Sequence, residues 1–419
     1  VRVEVEWLIH LTDNDAVPNT RRLTAGEQET LRTLVTSFDA TTVAELAATE
    51  RVTLHDVKAV EYLVKDRMSG TTAADLAERV HLFCTSEDIN NLAYALMVKG
   101  AVQQVWLPAA HELVDQLAEM ARTHRDVPML ARTHGQPATP TTLGKELAVL
   151  AHRLRRQLRR VEGTEYLGKI NGATGTFSAH VVGAPGTDWP EVSRSFVTGL
   201  GLSWNPLTTQ IESHDWQAEL YADLARFNRV LHNLCTDVWT YISLGYFAQV
   251  RGQGTVGSST MPHKVNPIRF ENAEANLEVS CALLDVLGST LVTSRLQRDL
   301  TDSSMQRNVG TAFGHSLLAV DNVRRGLAGL DVNHEALARD LDGTWEVLGE
   351  AIQSVMRVYD LERPYERLKE LTRGRRVDGP AMREFVSRLE LPEEVRARLL
   401  ALTPADYVGV ASALVDRLE

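Results

Sequence analysis

Between residues 215 and 245, Leu220, Leu224, Phe227, Leu231, Leu234, Val238 and Ile242 recur at three- and four-residue steps. That spacing draws one apolar stripe along a helix about 45 Å long at 1.5 Å per residue. A rod of this length hides its stripe only against other rods, so the chain has to build a helix bundle. Comparable stretches run over 108–125, 142–161, 270–296 and 308–327, the first and last entered after a proline or polar residue that serves as a start signal. Alternating strand patterns are nearly absent, residues 174–182 being the exception. The expected class is all-α.

A chain of 419 residues exceeds what one core supports, and its 44% apolar content is enough to fill two or three. Breaks near Ser69-Gly70-Thr71-Thr72 and near 329–333 divide it into an N-terminal helical domain (1–75), a central long-helix domain (76–328) and a C-terminal helical domain (329–419). The net charge of -11 argues against nucleic-acid binding, so any anionic ligand has to be met by a local cluster of cations. Cys84, Cys235 and Cys281 are widely spaced in apolar surroundings and read as buried thiols of a reducing compartment, without metal-ligand or disulfide spacing. The opening Val-Arg-Val-Glu-Val-Glu-Trp alternates charge where a signal peptide needs an apolar core, and no window is apolar for long enough to span a bilayer. These features predict a soluble, cytoplasmic protein with no membrane partner. The first residue is valine, so a missing natural start is among the expectations, beside a misplaced start.

Chemistry concentrates in Gly257-Ser-Ser-Thr-Met-Pro-His-Lys-Val-Asn-Pro267, where hydroxyls, a cation and an amide stand in a proline-interrupted stretch. Such a composition suits a loop that closes over an anion, and residue types alone suit a surface turn equally well. Just upstream, Gly252, Gly254 and Gly257 fit a dinucleotide-binding pattern, with Glu271 and Glu274 following. The context excludes it: a long helical stripe precedes the glycines, and Pro262 and Pro267 stand where a phosphate-capping helix should begin. A serine in this loop becomes a base only if N–H groups, Lys264 and exclusion of water stabilise its alkoxide, and Lys264 with Asn266 also suits a carboxylate. Sequence types leave Ser258 and Ser259 equivalent.

Three further clusters matter. Thr133-His134-Gly135-Gln136 puts a histidine in exposed, conformationally unusual backbone, where an imidazole suits proton donation, although a lone loop histidine is usually just solvated. Cys84-Thr85-Ser86-Glu87-Asp88-Ile89-Asn90-Asn91 offers hydroxyls and amides at a helix start, equally a plain cap. Residues 294–307 carry Arg295, Arg298 and Arg307, which supply concentrated positive charge or merely a charged helix surface.

Together these segments resemble the fumarase/aspartase superfamily, whose Gly-Ser-Ser-x-Met-Pro-x-Lys-x-Asn signature stands at Gly257–Asn266. Within it they are most similar to the adenylosuccinate lyase family in its longer bacterial form: His263 fills the variable slot, and His55-Asp56-Val57 matches a His-Asp-Val motif. The segments 84–91 and 133–140 match nearly verbatim, and the likeness continues through 365–374 and 402–407.

The resemblance implies a three-domain helical lyase fold whose long helices form the core of a homotetramer, with each site shared among three subunits. It implies anti-elimination of fumarate from adenylosuccinate, giving AMP, and from the succinyl-carboxamide imidazole ribonucleotide, with no metal or organic cofactor. Ser258 would act as base and His134 as acid, Glu271 would orient and charge the imidazole, and Lys264 with Asn266 would bind the doubly charged aci-carboxylate. His55, Asp56, Thr85, Ser86, Thr133, Gln210, Arg298, Ser303 and Arg307 fall at positions that hold the nucleotide or succinyl group. Longer bacterial relatives begin with an additional segment whose Arg-Tyr pair contacts the substrate phosphate, and the sequence in hand starts after it. Leu54 replaces a polar residue of some relatives, and Thr255 stands where many carry glutamate. The competing readings are another lyase of the superfamily acting on a different succinyl or aspartyl adduct, and a non-catalytic helical scaffold.

Overall fold

In the computed structural model the apolar stripe becomes the 29-residue helix Asp215–Ser243, with Leu220, Leu224, Phe227, Leu231, Leu234 and Val238 all buried. The structure describes residues 1–249, 261, 264–372 and 377–418. The other long stretches form helices Leu107–Thr123, Leu143–Glu162, Ile268–Leu291 and Val309–Ala328. Strands among the described residues are two or three residues long, in two-stranded pairs, so the chain is all-α as expected.

Two expectations need correction. The helix expected to reach residue 296 stops at Leu291, because Asp299 organises the next segment as a turn. Its carboxylate accepts the N–H groups of Thr301 at 2.8 Å and Arg295 at 3.1 Å, which hold its pKa down at about 2, while Leu296 takes a left-handed φ of 53°. Residues 174–182 form no strand. Phe177, at φ 53°, turns the chain into the short helix Ser178–Gly183 and lets His180 insert among Phe83, Phe177 and Trp189. Gly175, at φ 77°, is required there, since a Cβ would lie 2.3 Å from the Thr208 carbonyl oxygen.

The chain divides into two compact units. The first comprises Val1–Leu107, Arg160–Leu224 and Ala282–Thr311. Helix Arg2–Asp13 buries Val5, Leu8 and Ile9 with Leu31, Val64, Met68 and Leu76. Deeper in this unit Asp88 and Lys169 form a fully buried ion pair, Nζ to Oδ1 at 2.8 Å. Asp88 also accepts N–H groups from Thr85, Asn171 and Gly172 at 2.9–3.0 Å, and Asn91 exchanges hydrogen bonds with the Lys169 backbone. Every charge is thereby compensated, and the start of helix Ser86–Gly100 is bolted to the 169–172 segment.

His180 in the same unit is buried with neither ring nitrogen hydrogen-bonded among the described residues. Burial pushes its pKa down to about 4; nearby Asp88 opposes that shift and Lys169 adds to it. The unfolded chain therefore binds a proton first as pH falls, and His180 removes stability from about pH 6.5 down to about 4, by about 3 kcal/mol in full. We expect His180→Phe to flatten the acid limb of stability in that window, read as the urea midpoint against pH. An unchanged acid limb would contradict it.

The second unit comprises Pro108–Arg159, Ala225–Cys281 and Ala312–Glu419. Its C-terminal part has its own apolar cluster, including Leu348, Ile352, Met356, Met382, Val386 and Leu399. Among its long helices runs a buried polar chain: Ser316 Oγ donates to Asn228 Oδ1 at 2.8 Å, Asn228 Nδ2 to Ser280 Oγ at 3.0 Å, and Ser280 Oγ to the Ala312 carbonyl at 2.8 Å.

Candidate active site

In the first unit, several expected binding residues converge. His55 caps helix Asp56–Met68, its Nδ1 accepting the Lys58 N–H at 3.2 Å. That bond leaves the neutral ring's proton on Nε2, which faces Ser86 Oγ at 3.2 Å. Asp56 Oδ1 accepts the Val57 N–H at 2.8 Å, and Thr85 opens helix Ser86–Gly100 with its N–H on Asp88. The cap reading of residues 84–91 therefore holds alongside any binding role, and the cap formed by His55 is a further finding of the structure.

Arg298 lies mostly buried in the same unit. Its Nη2 donates to Glu87 Oε1 at 2.9 Å and lies 4.0 Å from Asp302 Oδ1, while Nη1 donates to Gln210 Oε1 at 3.3 Å. Gln210 Nε2 donates to the Ala173 carbonyl at 3.0 Å, so the amide is fixed from both ends. Gln210 and Arg298 line a cleft of about 440 Å³ with Ala173, Thr174, Gln297 and Asp299. Ser303 donates its N–H to Asp302 Oδ1 at 2.7 Å, and Arg307 closes the short helix Thr301–Gln306 in an exposed position. Glu87, Asp302 and His214, whose Nε2 lies 3.3 Å from Asp302 Oδ2, were not singled out from sequence. The available signal was electrostatic: an arginine held inside an acidic chain needs a carboxylate.

The second unit holds the expected proton-transfer groups. Residues 132–137 form a two-residue hairpin with Arg132 opposite Pro137 and Thr133 opposite Gln136. His134 and Gly135 form its tip at φ 54° and 73°, the pair of left-handed residues that a type I′ turn demands. The base is clamped by Arg132 on Asp340 at 2.6 Å, by Tyr246 on the same carboxylate, and by Thr139 on Glu350. A rigid stem thus presents an exposed imidazole, with Thr133 exposed beside it.

Glu271 is exposed in the first turn of helix Ile268–Leu291, where it accepts Trp239 Nε1 at 3.1 Å; among the described residues of the chain it makes no bond to His134. Lys264 and Asn266 precede that helix with exposed side chains, and Gln249 Nε2 holds the intervening Val265 carbonyl at 2.7 Å. Ser258 and His263 lie outside the described residues. No group of three histidine, cysteine or acidic side chains among the described residues has metal-holding geometry.

Sequence comparisons match nearly the whole chain. A family profile described as Lyase matches residues 12–281, and one described as Adenylosuccinate lyase C-terminal matches 294–408. Adenylosuccinate lyase of Escherichia coli strain K12 is 50% identical over 420 residues, covering 100% of this chain and 92% of that protein. The same enzyme of Vibrio cholerae is 47% identical over 418 residues, covering 99% and 92%. The crystal structure of a fumarate lyase from Mesorhizobium sp. BNC1 superposes with a TM-score of 0.79 at 20% identity, covering 100% of this chain and 93% of that one, a likeness of fold alone.

The long-helix fold and the Lyase profile define an enzyme of the lyase class. More narrowly, the chain belongs to the adenylosuccinate lyase family, whose reaction class is C–N bond cleavage.

Proposed function

We propose that this protein eliminates fumarate from adenylosuccinate, releasing AMP, and carries out the same elimination on the succinyl-carboxamide imidazole ribonucleotide. The observation that carries the reading is the 50% identity to a curated adenylosuccinate lyase over the full length of the chain. In this mechanism the Ser258 alkoxide takes the proton from the succinyl carbon beside a carboxylate. The electron pair delocalises into that carboxylate as an aci-anion, and Lys264 and Asn266 bind the added charge more tightly than the ground state. His134 protonates the departing nitrogen as the C–N bond breaks, so fumarate leaves with the new double bond. Its exposed place on a clamped hairpin supports that role. Within one chain Glu271 meets Trp239, so its part in orienting His134 belongs to the assembled enzyme.

His55, Asp56, Thr85, Ser86, Thr133, Gln210, Arg298, Ser303 and Arg307 bind the substrate in this reading. The fixed Gln210–Arg298 pair at one cleft supports an anion clamp there. A homotetramer is part of the same proposal, supported by exposed apolar residues on the long helices, among them Trp239, Val279, Val286 and Leu318. A cytoplasmic setting is supported by the free cysteines, of which Cys235 and Cys281 are buried. No helix among the described residues is long and apolar enough to cross a membrane. A C-terminal domain beginning at 329 draws support from its own apolar cluster, whereas the N-terminal cluster continues past residue 75 through Leu76 and Val80.

Incubating the purified protein with adenylosuccinate and following AMP and fumarate tests the activity. Turnover of some other succinyl adduct alone would overturn the substrate, and none at all would restore the scaffold reading. In the same assay Ser258→Ala is expected to lose roughly 10²-fold or more in turnover with the oligomer intact. A rate close to wild type would remove Ser258 from the base role.

A further inference from the structure

Arg298 raises a question that the proposed mechanism leaves open: what holds a largely buried guanidinium in place before substrate arrives. Glu87 is itself buried, yet it does not line the cleft that Arg298 and Gln210 share. Its Oε1 takes Nη2 of Arg298 at 2.9 Å and the Asn90 amide at 3.0 Å. Gln210 takes Nη1 at the longer 3.3 Å, and Nε has no partner among the described residues. Among the described residues the guanidinium therefore has one strong bond directed away from the cleft and one weak bond at the cleft, and three of its five N–H donors are unused.

Two roles are open to a carboxylate so placed. It could compete with an incoming anion and swing away, or it could stay and brace the arginine. Swinging away would strand a buried carboxylate on the Asn90 amide alone, and an uncompensated buried charge is strongly disfavoured. Bracing keeps both charges compensated and leaves the weakly bonded Nη1 edge to meet a ligand.

We infer that Glu87 is a positioning residue that acts through Arg298, holding the guanidinium at the cleft so that it binds an anionic group of the substrate, and that Glu87 itself never contacts that substrate. This rests on the reading of Arg298 as a substrate-binding residue of an adenylosuccinate-cleaving enzyme. Helix Ser86–Gly100 supplies the rigidity, since the Asp88–Lys169 pair anchors the same first turn.

The test is a double-mutant cycle on the full-length enzyme with adenylosuccinate as substrate. Glu87→Ala should raise KM on the order of 10- to 100-fold, with a smaller loss in kcat, because ground-state binding is what the brace supports. Glu87→Gln keeps an acceptor on Nη2 and should recover part of that loss, which also guards against a folding failure of the alanine variant. In an Arg298→Ala background the Glu87→Ala change should add little to KM, since its only route to the substrate is gone. An unchanged KM in both Glu87 variants, or KM effects that multiply fully in the double variant, overturns the inference while the activity stands. A wild-type enzyme that does not cleave adenylosuccinate overturns the functional reading, and this inference with it.

Discussion

Replacing His134 by glutamine is expected to lower turnover of adenylosuccinate by about 10²- to 10⁴-fold, the range typical for loss of a positioned general acid, if the imidazole has the proposed role. Glutamine retains a donor of similar reach but cannot release a proton to the departing nitrogen, so the loss falls on kcat rather than on KM. The turn tolerates the change poorly in principle, because residue 134 sits at φ 54°, where an L side chain other than asparagine, aspartate or histidine is uncommon. The stem is clamped by Arg132–Asp340 and by Thr139–Glu350, however, so the hairpin should persist. His134→Asn, better suited to the left-handed backbone, gives the control. If the asparagine variant matches the glutamine variant in rate, the defect is chemical. A His134→Gln enzyme within a few-fold of wild type would remove the imidazole from proton transfer.

The second large effect is on stability. Asp88→Asn should destabilise the fold by about 3–5 kcal/mol, because it leaves the Lys169 ammonium in a fully buried site without its counter-charge. Asparagine also turns an NH₂ group toward a ring of donors, since Thr85, Asn171 and Gly172 all point N–H groups at this carboxylate. Lys169→Met should be milder: Asp88 then keeps three backbone partners, and the methionine stem fills most of the lysine volume. The double variant should recover part of the Asp88→Asn loss. Urea midpoints at constant slope measure all three. Equal losses for both single variants would mean that the backbone ring contributes nothing and that the pair alone matters. Because Ser86 and Glu87 stand on the same helical turn, the Asp88→Asn enzyme should also bind substrate more weakly below its melting point.

The long helices are legible in the sequence because a stripe at three- and four-residue spacing survives whatever a helix packs against, as Leu220 through Val238 show. Their ends are less legible. Leu291 ends its helix because a carboxylate eight residues later organises the backbone, and nothing in the apolar pattern records that. The failed strand at 174–182 has the same origin: Thr174, Thr176, Phe177, Val181 and Val182 look β-forming locally, but the Thr176 and Ser178 hydroxyls bond each other while His180 seeks an aromatic pocket. The unusual backbone at His134 was readable, since a glycine after a histidine between short polar runs invites a left-handed pair. The partner of Arg298 was not. Glu87 lies 211 residues away, and no spacing rule connects them.

The buried chain from Ser316 through Asn228 and Ser280 to the Ala312 carbonyl has a mechanical meaning. Three shafts joined by hydroxyls and one amide in a dry interior mesh like a keyed axle: sliding any of them by one turn, about 5.4 Å, would strand several dipoles at once. The relative axial setting of these three shafts is therefore costly to change, whether or not a ligand is bound.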